Sequence, residues 1–156
     1  MEIQLLFVGK TKKKYLLDEL EAYKLKILRF IKFSFVCVEE TKTKKTNIKQ
    51  LKEKEYQQIQ KKITPNDIVI ILDEKGKMLN SIDFAFEIKR YINTGKKKII
   101  FIVGGAYGLS KKFYDDFPTR IALSRMTFSH QMIRLFFCEQ LYRAFSIINN
   151  HPYHNN

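Results

Sequence analysis

The amino-acid sequence predicts a single α/β domain, residues 1–156, built on a mainly parallel sheet of about five strands. Short apolar runs rich in β-branched and aromatic residues alternate with longer amphipathic segments, as strands and helices do in this fold class. The 156 residues, 45% of them hydrophobic, are enough to bury one core. No linker, internal repeat or low-complexity stretch interrupts the alternation, and we therefore expect no second domain.

The spacing of apolar residues distinguishes the first two strands from the helix between them. Residues 3–8 (IQLLFV) are mostly apolar and end at Gly9, which predicts a strand buried on both faces. The β-rich run FSFVCV at residues 33–38 predicts the second strand. Between them, apolar residues recur every three or four positions and mark the buried side of a helix: Leu16, Leu20, Tyr23 and Ile27.

The most polar part of the chain, residues 39–62, predicts a loop and a second helix. Residues 41–46 have the composition of an exposed loop, and Asn47 suits the N-cap position of the helix that follows. We expect the charged face of this helix to be solvated. A turn at residues 64–67 leads to the third strand, IVIIL at residues 68–72. The apolar positions of the helix are Ile48, Leu51, Tyr56, Ile59 and Ile63.

After the third strand, the sequence predicts a tight loop, a helix and a fourth strand. Residues 73–77 (DEKGK) predict the loop, because Gly76 favours a sharp change of direction. The helix begins at Ser81 and ends near Gly95, a residue typical of helix C-caps. Residues 99–103 (IIFIV) predict the fourth strand. The inward positions of the helix are Phe84, Ala85, Ile88 and Ile92.

The last third of the chain contains a glycine-rich loop and the longest helix. The loop is GGAYGLS at residues 104–110, followed by a short helix at residues 111–117 that Pro118 ends. Residues 120–124 predict a fifth, short strand, and the longest helix spans about residues 129–149. The inward positions of that helix are Ile133, Phe136, Phe137, Leu141, Phe145 and Ile148.

Three loops follow strands and are candidates for ligand binding, because ligands of open α/β sheets bind at the carboxyl ends of strands. They are residues 72–76, 104–110 and 123–130. Gly104 and Gly105 allow a backbone to approach a ligand closely, although they could equally serve a tight strand-to-helix turn. The spacing matches neither a dinucleotide fingerprint nor a phosphate-binding loop. A nucleotide-like ligand held by backbone groups, rather than through its phosphates, fits better.

The loop LSRMTFSHQ contains the polar residues that could do chemistry. Thr127 and Ser129 lie near a helix N-terminus, where capping is the simplest role. His130 and Arg134 are four residues apart and share one helix face. Nucleophilic catalysis has little support, because the sequence has no GxSxG elbow and no histidine beside either cysteine.

The net charge of +13 favours an anionic partner, of which nucleic acid is the commonest. Most of the basic residues are lysines, which an A/T-rich genome would also produce. Four of the six arginines, however, lie in the last 37 residues: Arg120, Arg125, Arg134 and Arg143. Arginine suits phosphate and base recognition better than lysine does. Arg143 could equally pair with Glu139 on the helix surface. The ending HPYH could face RNA or cover a ligand, or be an ordinary chain end.

Cysteine usage and hydropathy argue against a disulfide-bonded, metal-binding or membrane protein. Cys37 and Cys138 lie in apolar runs, which favours free, buried cysteines in a reduced cytosol. The sequence has no metal-ligand spacing and no run of the length that a membrane span needs. We therefore expect a cytoplasmic protein without a metal or a membrane partner.

The motifs resemble the RlmH family of SPOUT methyltransferases, which modify the 23S rRNA of the large ribosomal subunit. The matching segments are IQLLFVGKTKKKY, LDEKGKMLNS, FIVGGAYGLS, LSRMTFSHQMIRLFFCEQLYRAFSI and HPYH, in family order over nearly the whole chain. A departure is Ser129, where relatives often have proline before the histidine. The resemblance implies a C-terminal trefoil knot that holds S-adenosylmethionine, a topology too rare to derive from the pattern alone.

The resemblance also implies a homodimer whose subunits jointly form the RNA site, and methylation of N3 of a pseudouridine on assembled ribosomes. His130, Arg134 and His154 become candidates for catalysis, with a histidine as base and an arginine as stabiliser. Two rivals stay open: a SPOUT enzyme that acts on tRNA, and a non-enzymatic RNA-binding module. The implied cofactor contacts are Leu72, Gly104, Leu123, Ser124, Arg125, Met126, Thr127 and Phe128, and the implied RNA contacts are Arg134, Arg143, Tyr153 and His154.

Overall fold

The computed structural model describes residues 1–41 and 47–154 and contains five strands and five helices in that part of the chain. In chain order they are β1 (Glu2–Val8), α1 (Lys14–Ile27), β2 (Lys32–Val38), α2 (Ile48–Gln60), β3 (Ile68–Met78), α3 (Ser81–Ile92), β4 (Lys98–Val103), α4 (Lys111–Asp116), β5 (Arg120–Ala122) and α5 (Met132–Ile148). All but one residue of the predicted loop at 41–46, and the final two asparagines, lie outside the described residues.

The five strands form one sheet in the order β2-β1-β4-β3-β5, and every neighbouring pair is parallel. The predicted fold class, α/β with a parallel sheet of about five strands, is confirmed. The trefoil knot implied by the family resemblance stays a prediction. Because all strands run in one direction, the loops that follow β1, β3, β4 and β5 emerge at the same edge of the sheet.

Both faces of the sheet are covered, which explains why its strands are continuously apolar. Ile99, Phe101 and Val103 of β4 face the core that α1, α3 and α5 cover. Ile100 and Ile102 face the second core, which α2 and α4 cover. Cys138 of α5 is buried, but Cys37 is exposed on the edge strand β2, so the expectation of two buried cysteines is wrong for Cys37.

Strand β3 differs from the prediction, because the expected loop at residues 73–77 is an interruption inside the strand. Ile121 of β5 pairs with Leu72 before the interruption and with Lys77 after it. Gly76 makes this possible: a Cβ atom there would lie 2.7 Å from the Ile121 backbone nitrogen. The chain therefore bulges outward after Leu72 and returns to the same partner strand.

Helix α5 begins at Met132, three residues later than predicted, because residues 129–131 form its capping turn. Ser129 Oγ accepts a hydrogen bond from the Met132 N–H at 3.2 Å, and the Ser129 carbonyl accepts from the Ile133 N–H at 3.1 Å. Ser129 therefore caps this turn as predicted, although Gln131, directly before the helix, makes no side-chain capping bond. The predicted capping role of Thr127 is wrong, because its hydroxyl donates to Glu74. The capping role of Asn47 in α2 is confirmed too, by a hydrogen bond from the Gln50 N–H at 3.3 Å.

Candidate active site

A cleft of about 730 Å³ lies where the bulge of β3 and the loops after β4 and β5 meet the first turn of α5. This volume lies within the range of sites for small molecules and cofactors. The structure brings seven of the eight sequence-predicted cofactor residues into its wall: Leu72, Gly104, Leu123, Ser124, Met126, Thr127 and Phe128. Arg125 is exposed and does not line the cleft.

Two side-chain hydrogen bonds fix the β3 bulge against its neighbours. The Thr127 hydroxyl donates to Glu74 Oε2 at 2.5 Å, which joins the loop after β5 to the bulge. The Tyr114 hydroxyl of α4 donates to Asp73 Oδ2, and Asp73 Oδ1 accepts from the Lys75 N–H at 2.8 Å. Burial, followed by the hydrogen bond to Asp73, raises the pKa of Tyr114, so this phenol stays protonated and continues to donate.

The glycine-rich loop closes the cleft on the β4 side. Gly108 has a φ of +72°, a left-handed conformation that glycine adopts without strain, and its N–H donates to the Gly105 carbonyl at 3.0 Å. A Cβ atom on Gly104 would lie 3.1 Å from Leu109 Cγ. At its glycines the loop therefore presents backbone to the cleft, and Tyr107 and Leu109 of the same loop line it too.

His130 lines the same cleft, in the turn that precedes α5. Its side chain is half-buried, and burial followed by the positive charge of Arg134 lowers its pKa. Glu40 acts in the opposite direction but does not reverse the shift. The imidazole is therefore neutral near pH 7 and able to accept a proton.

Arg134 does not lie on a surface, although it was expected to contact RNA. Its side chain is fully buried, with Nη2 donating to the Val8 carbonyl at 2.8 Å and Nη1 donating to Thr11 Oγ1 at 2.8 Å. The guanidinium lies 4.1 Å from the centroid of the Phe7 ring, and its Nε has no hydrogen-bond partner among residues 1–41 and 47–154. Burial lowers its pKa to about 10, so it stays charged at neutral pH.

Comparisons with known proteins identify the family. A family model described as "Predicted SPOUT methyltransferase" matches residues 1–154. The chain belongs to the SPOUT methyltransferase family. The family resemblance drawn from the sequence motifs is thereby confirmed, and this SPOUT methyltransferase acts with a methyl donor.

Curated relatives match this SPOUT methyltransferase from end to end. Proteins named ribosomal RNA large subunit methyltransferase H are 46% identical in Phocaeicola vulgatus, 45% in Christiangramia forsetii and 44% in Bacteroides thetaiotaomicron, each over 99% of both chains. A solved structure of a probable methylase family protein from Haemophilus influenzae aligns with a TM-score of 0.54 and 11% identity. It covers 95% of this chain and 66% of that chain, and it supports the fold assignment alone.

The remaining predicted RNA residues of this SPOUT methyltransferase form a cluster on α5 and the tail. Arg143 donates to Glu139 Oε1 from Nε at 3.1 Å and from Nη2 at 2.6 Å, and its Nη1 lies 3.4 Å from His154 Nδ1. The Arg143 guanidinium lies over the Tyr153 ring, 4.9 Å from the ring centroid. The Tyr153 hydroxyl donates to Glu139 Oε1 at 3.3 Å. None of the three lines the cleft of its own chain.

Tyr114 is a residue of the cleft that the sequence reasoning missed. It lies in the short helix α4, whose only sequence-level feature was a stop at Pro118. Asp73 and Glu74 directly follow the apolar run at residues 68–72, and this position placed them in one of the candidate ligand-binding loops. Tyr114 has no comparable indication, since only the fold brings it to Asp73.

In residues 1–41 and 47–154, no three His, Cys, Asp or Glu side chains come together as a metal site would need. None of the helices in this described part of the chain is long and apolar enough to cross a membrane.

Proposed function

We propose that this chain transfers a methyl group from S-adenosylmethionine to N3 of a pseudouridine in 23S rRNA of the assembled ribosome. The observation that carries the proposal is a cleft whose wall contains seven of the eight expected cofactor residues. The relatives named ribosomal RNA large subunit methyltransferase H, at 42–46% identity, support RNA as the substrate. The net charge of +13 agrees with a polyanionic partner.

The residues of the cleft fit S-adenosylmethionine. Apolar side chains of Leu72, Leu109 and Leu123 suit an adenine ring, and the backbone of the loop at residues 104–110 suits its polar edge. Asp73 and Glu74 place carboxylates in the wall, beside the basic side chains of Lys75 and Arg120, so the wall offers partners to both the cationic and the carboxylate groups of S-adenosylmethionine. When bound, S-adenosylmethionine supplies an activated methyl carbon with a good leaving group, so the protein mainly has to align the attacking atom.

His130 is our candidate for the general base. N3 of the uracil-type ring carries a proton at neutral pH, and that proton must leave as N3 forms its bond to the methyl carbon. His130 lines the cleft and is neutral near pH 7, so it can accept the proton. His154 is the alternative base, and we expect it to act from the tail cluster. Arg134 is buried within the chain, and we assign it a positioning role in place of a direct contact with RNA.

The tail cluster is our candidate for direct RNA contacts. Arg143, Tyr153 and His154 combine a guanidinium, an aromatic ring and an imidazole within one hydrogen-bonded group. Guanidinium groups suit phosphates, and aromatic rings suit unstacked bases. We further propose a homodimer in the cytoplasm, in which a tail cluster and a cleft act on the same nucleotide.

Methyl transfer from labelled S-adenosylmethionine to ribosomes of a strain that lacks this modification tests the proposal. We expect label in 23S rRNA, at one pseudouridine, and none in purified tRNA. Label in tRNA alone would support the alternative function, a SPOUT enzyme that acts on tRNA. Calorimetry that detects no binding of S-adenosylmethionine would instead support a non-enzymatic RNA-binding module.

A further inference from the structure

We propose that residues 10–14, the lysine loop, bind phosphates of the RNA substrate, and that Gln131 and Arg134 hold this loop beside the cofactor cleft. The inference rests on the proposed action on RNA and adds a second contact surface to it. Two observations that the cofactor cleft does not explain support it: a run of exposed lysines, and a buried arginine that forms no ion pair with residues 1–41 or 47–154.

The lysine loop has the charge and exposure of a phosphate-binding surface. Lys10, Lys12, Lys13 and Lys14 are all exposed. Lys14 pairs with Asp18 at 2.9 Å, but within residues 1–41 and 47–154 no carboxylate forms an ion pair with the other three. Three uncompensated ammonium groups within four consecutive residues attract a polyanion, and counterion release would favour its binding.

The position of the loop connects it with methyl transfer. It follows β1, which pairs in parallel with β4, and the glycine-rich wall of the cleft follows β4. The lysine loop and the cleft therefore open at the same edge of the sheet. Lysines at that edge can hold the phosphates that flank a target nucleotide while its base enters the cleft.

Two side chains from the start of α5 join the lysine loop to the cleft. Gln131 Oε1 accepts a hydrogen bond from the Lys12 N–H at 3.0 Å. Arg134 donates to the Val8 carbonyl and to Thr11 Oγ1, both at 2.8 Å. His130, which lines the cleft, directly precedes Gln131 in the same capping turn. The loop and the proposed base are thus held by one short segment of the chain.

The burial of Arg134 favours a positioning role over a contribution to core stability. A buried guanidinium is costly to desolvate, and an apolar side chain of similar volume often stabilises such a position better. Here the cost is increased, because Nε has no hydrogen-bond partner in the part of the chain that the structure describes. Arg134 makes one hydrogen bond to the Val8 carbonyl and one to the Thr11 hydroxyl. These two bonds fix the path of the chain from β1 into the lysine loop.

The first experiment compares two variants with the same loss of charge. The test variant is Lys10→Gln, Lys12→Gln and Lys13→Gln. The control is Lys61→Gln, Lys62→Gln and Lys97→Gln, three exposed lysines that precede β3 and β4 at the opposite edge of the sheet. Binding to unmodified ribosomes is measured as a function of salt, together with KM and kcat for methyl transfer and with calorimetry of S-adenosylmethionine.

We expect the test variant to bind ribosomes roughly tenfold or more weakly, with a salt slope reduced by about 2, as the loss of three phosphate contacts predicts. The KM for ribosomes should rise while the affinity for S-adenosylmethionine stays unchanged. The control should keep the wild-type salt slope. Equal losses of ribosome binding in both variants, or no loss in either, would overturn the inference. The proposed function would still stand in that case if the wild-type enzyme methylates RNA. A wild-type protein that methylates no RNA would overturn both.

The second experiment tests whether the hydrogen bond from Gln131 acts through the lysines. Gln131→Ala removes a half-buried side chain, so the fold should persist even if Arg134→Met fails to fold. We expect Gln131→Ala to weaken ribosome binding about threefold in the wild-type background and to have no effect in the triple-glutamine background. A role confined to stability would give the same loss in both backgrounds, and that result would overturn the positioning role.

Discussion

The Thr127 hydroxyl lies 2.5 Å from Glu74 Oε2, a hydrogen bond between residues that are 53 positions apart in the chain. It joins the bulge of β3 to the loop after β5, and both segments line the cofactor cleft. The bond therefore fixes the relative position of two walls of the cleft.

Removal of this bond should weaken cofactor binding. Thr127→Val keeps the shape of the side chain but removes the donor, and a single hydrogen bond to a charged acceptor at an exposed site contributes about 1 kcal/mol. We expect the affinity for S-adenosylmethionine, measured by calorimetry, to fall roughly fivefold. Thr64→Val is the control, because Thr64 is an exposed residue in the turn before β3. Equal affinities of Thr127→Val and the wild type would contradict this role of the bond.

Gly76 should be intolerant of any side chain. A Cβ atom there would lie 2.7 Å from the Ile121 nitrogen and 2.8 Å from the Arg120 carbonyl carbon, both of them backbone atoms that cannot move alone. Gly76→Ala should lower the free energy of unfolding by about 2–4 kcal/mol, measured by urea denaturation.

The control for that substitution is Gly95→Ala. Gly95 has a φ of +74° but has no neighbour within 4 Å of its Cβ position, so alanine there should cost only about 1 kcal/mol. A Gly76→Ala variant no less stable than Gly95→Ala would show that β5 can move away from the bulge.

The sequence was informative wherever structure depends on local pattern. Asn47 caps α2, and Ser129 caps α5, because capping needs only a short side-chain acceptor and the next turn of backbone. The apolar run of β4 was predictable for the same reason, since a strand covered on both faces leaves no polar alternation.

Features that depend on residues distant in the sequence were not predictable. The bulge of β3 exists because Ile121 pairs on both sides of it, and Ile121 lies more than 40 positions later in the chain. The burial of Arg134 depends on Val8 and Thr11, at the other end of the sequence. Arginines are rarely fully buried, so the helix pattern alone favoured an exposed position.

Glu55 should make the protein less stable as the pH rises through the weakly acidic range. Its side chain is buried beside Gly105 of the glycine-rich loop, and burial followed by repulsion from Glu40 raises its pKa to about 7. Between the unfolded value of 4.5 and about 7, the folded state binds more protons than the unfolded state. Stability contributed by the protonated form is therefore lost as the pH rises from 4.5 to about 7.

Glu55→Gln should remove this loss. We expect the variant to exceed the wild type at pH 8 by about 1–3 kcal/mol in urea denaturation, and to be close to it at pH 4. Glu53→Gln, which removes the same charge from a half-buried position on α2, should not change the pH profile. Parallel profiles of Glu55→Gln and the wild type would contradict the raised pKa.

His130 should determine the acid limb of the pH profile for methyl transfer. Burial and the charge of Arg134 lower its pKa below the usual 6.5, so the base form predominates at neutral pH and is lost only in more acidic solution. We expect the single-turnover rate to be constant near pH 7–8 and to fall at a pH below 6.5. His130→Gln should reduce the rate about 100-fold and abolish the acid limb, with the affinity for S-adenosylmethionine largely kept.

His154→Gln provides the matched comparison. If His154 is the base instead, His130→Gln will keep both its rate and its acid limb, and His154→Gln will lose them. Loss of the limb in neither variant would exclude both histidines as the base.

Glu139 should matter because it orients the tail cluster. Its Oε1 accepts hydrogen bonds from Arg143 at 2.6 Å and from Tyr153 at 3.3 Å, so one carboxylate oxygen holds two of the proposed RNA contacts. Glu139→Gln should weaken the hold on the arginine, since a neutral amide accepts a weaker hydrogen bond than a carboxylate does. We expect the KM for ribosomes to rise roughly threefold to tenfold.

The comparison with Arg143→Ala separates orientation from charge. Arg143→Ala removes the guanidinium itself, and it should reduce methyl transfer more than Glu139→Gln and also reduce the salt dependence of ribosome binding by about one phosphate contact. Glu139→Gln should leave that salt dependence unchanged, because the arginine is still present. A lower salt dependence in Glu139→Gln would show instead that the carboxylate controls whether the arginine reaches RNA at all.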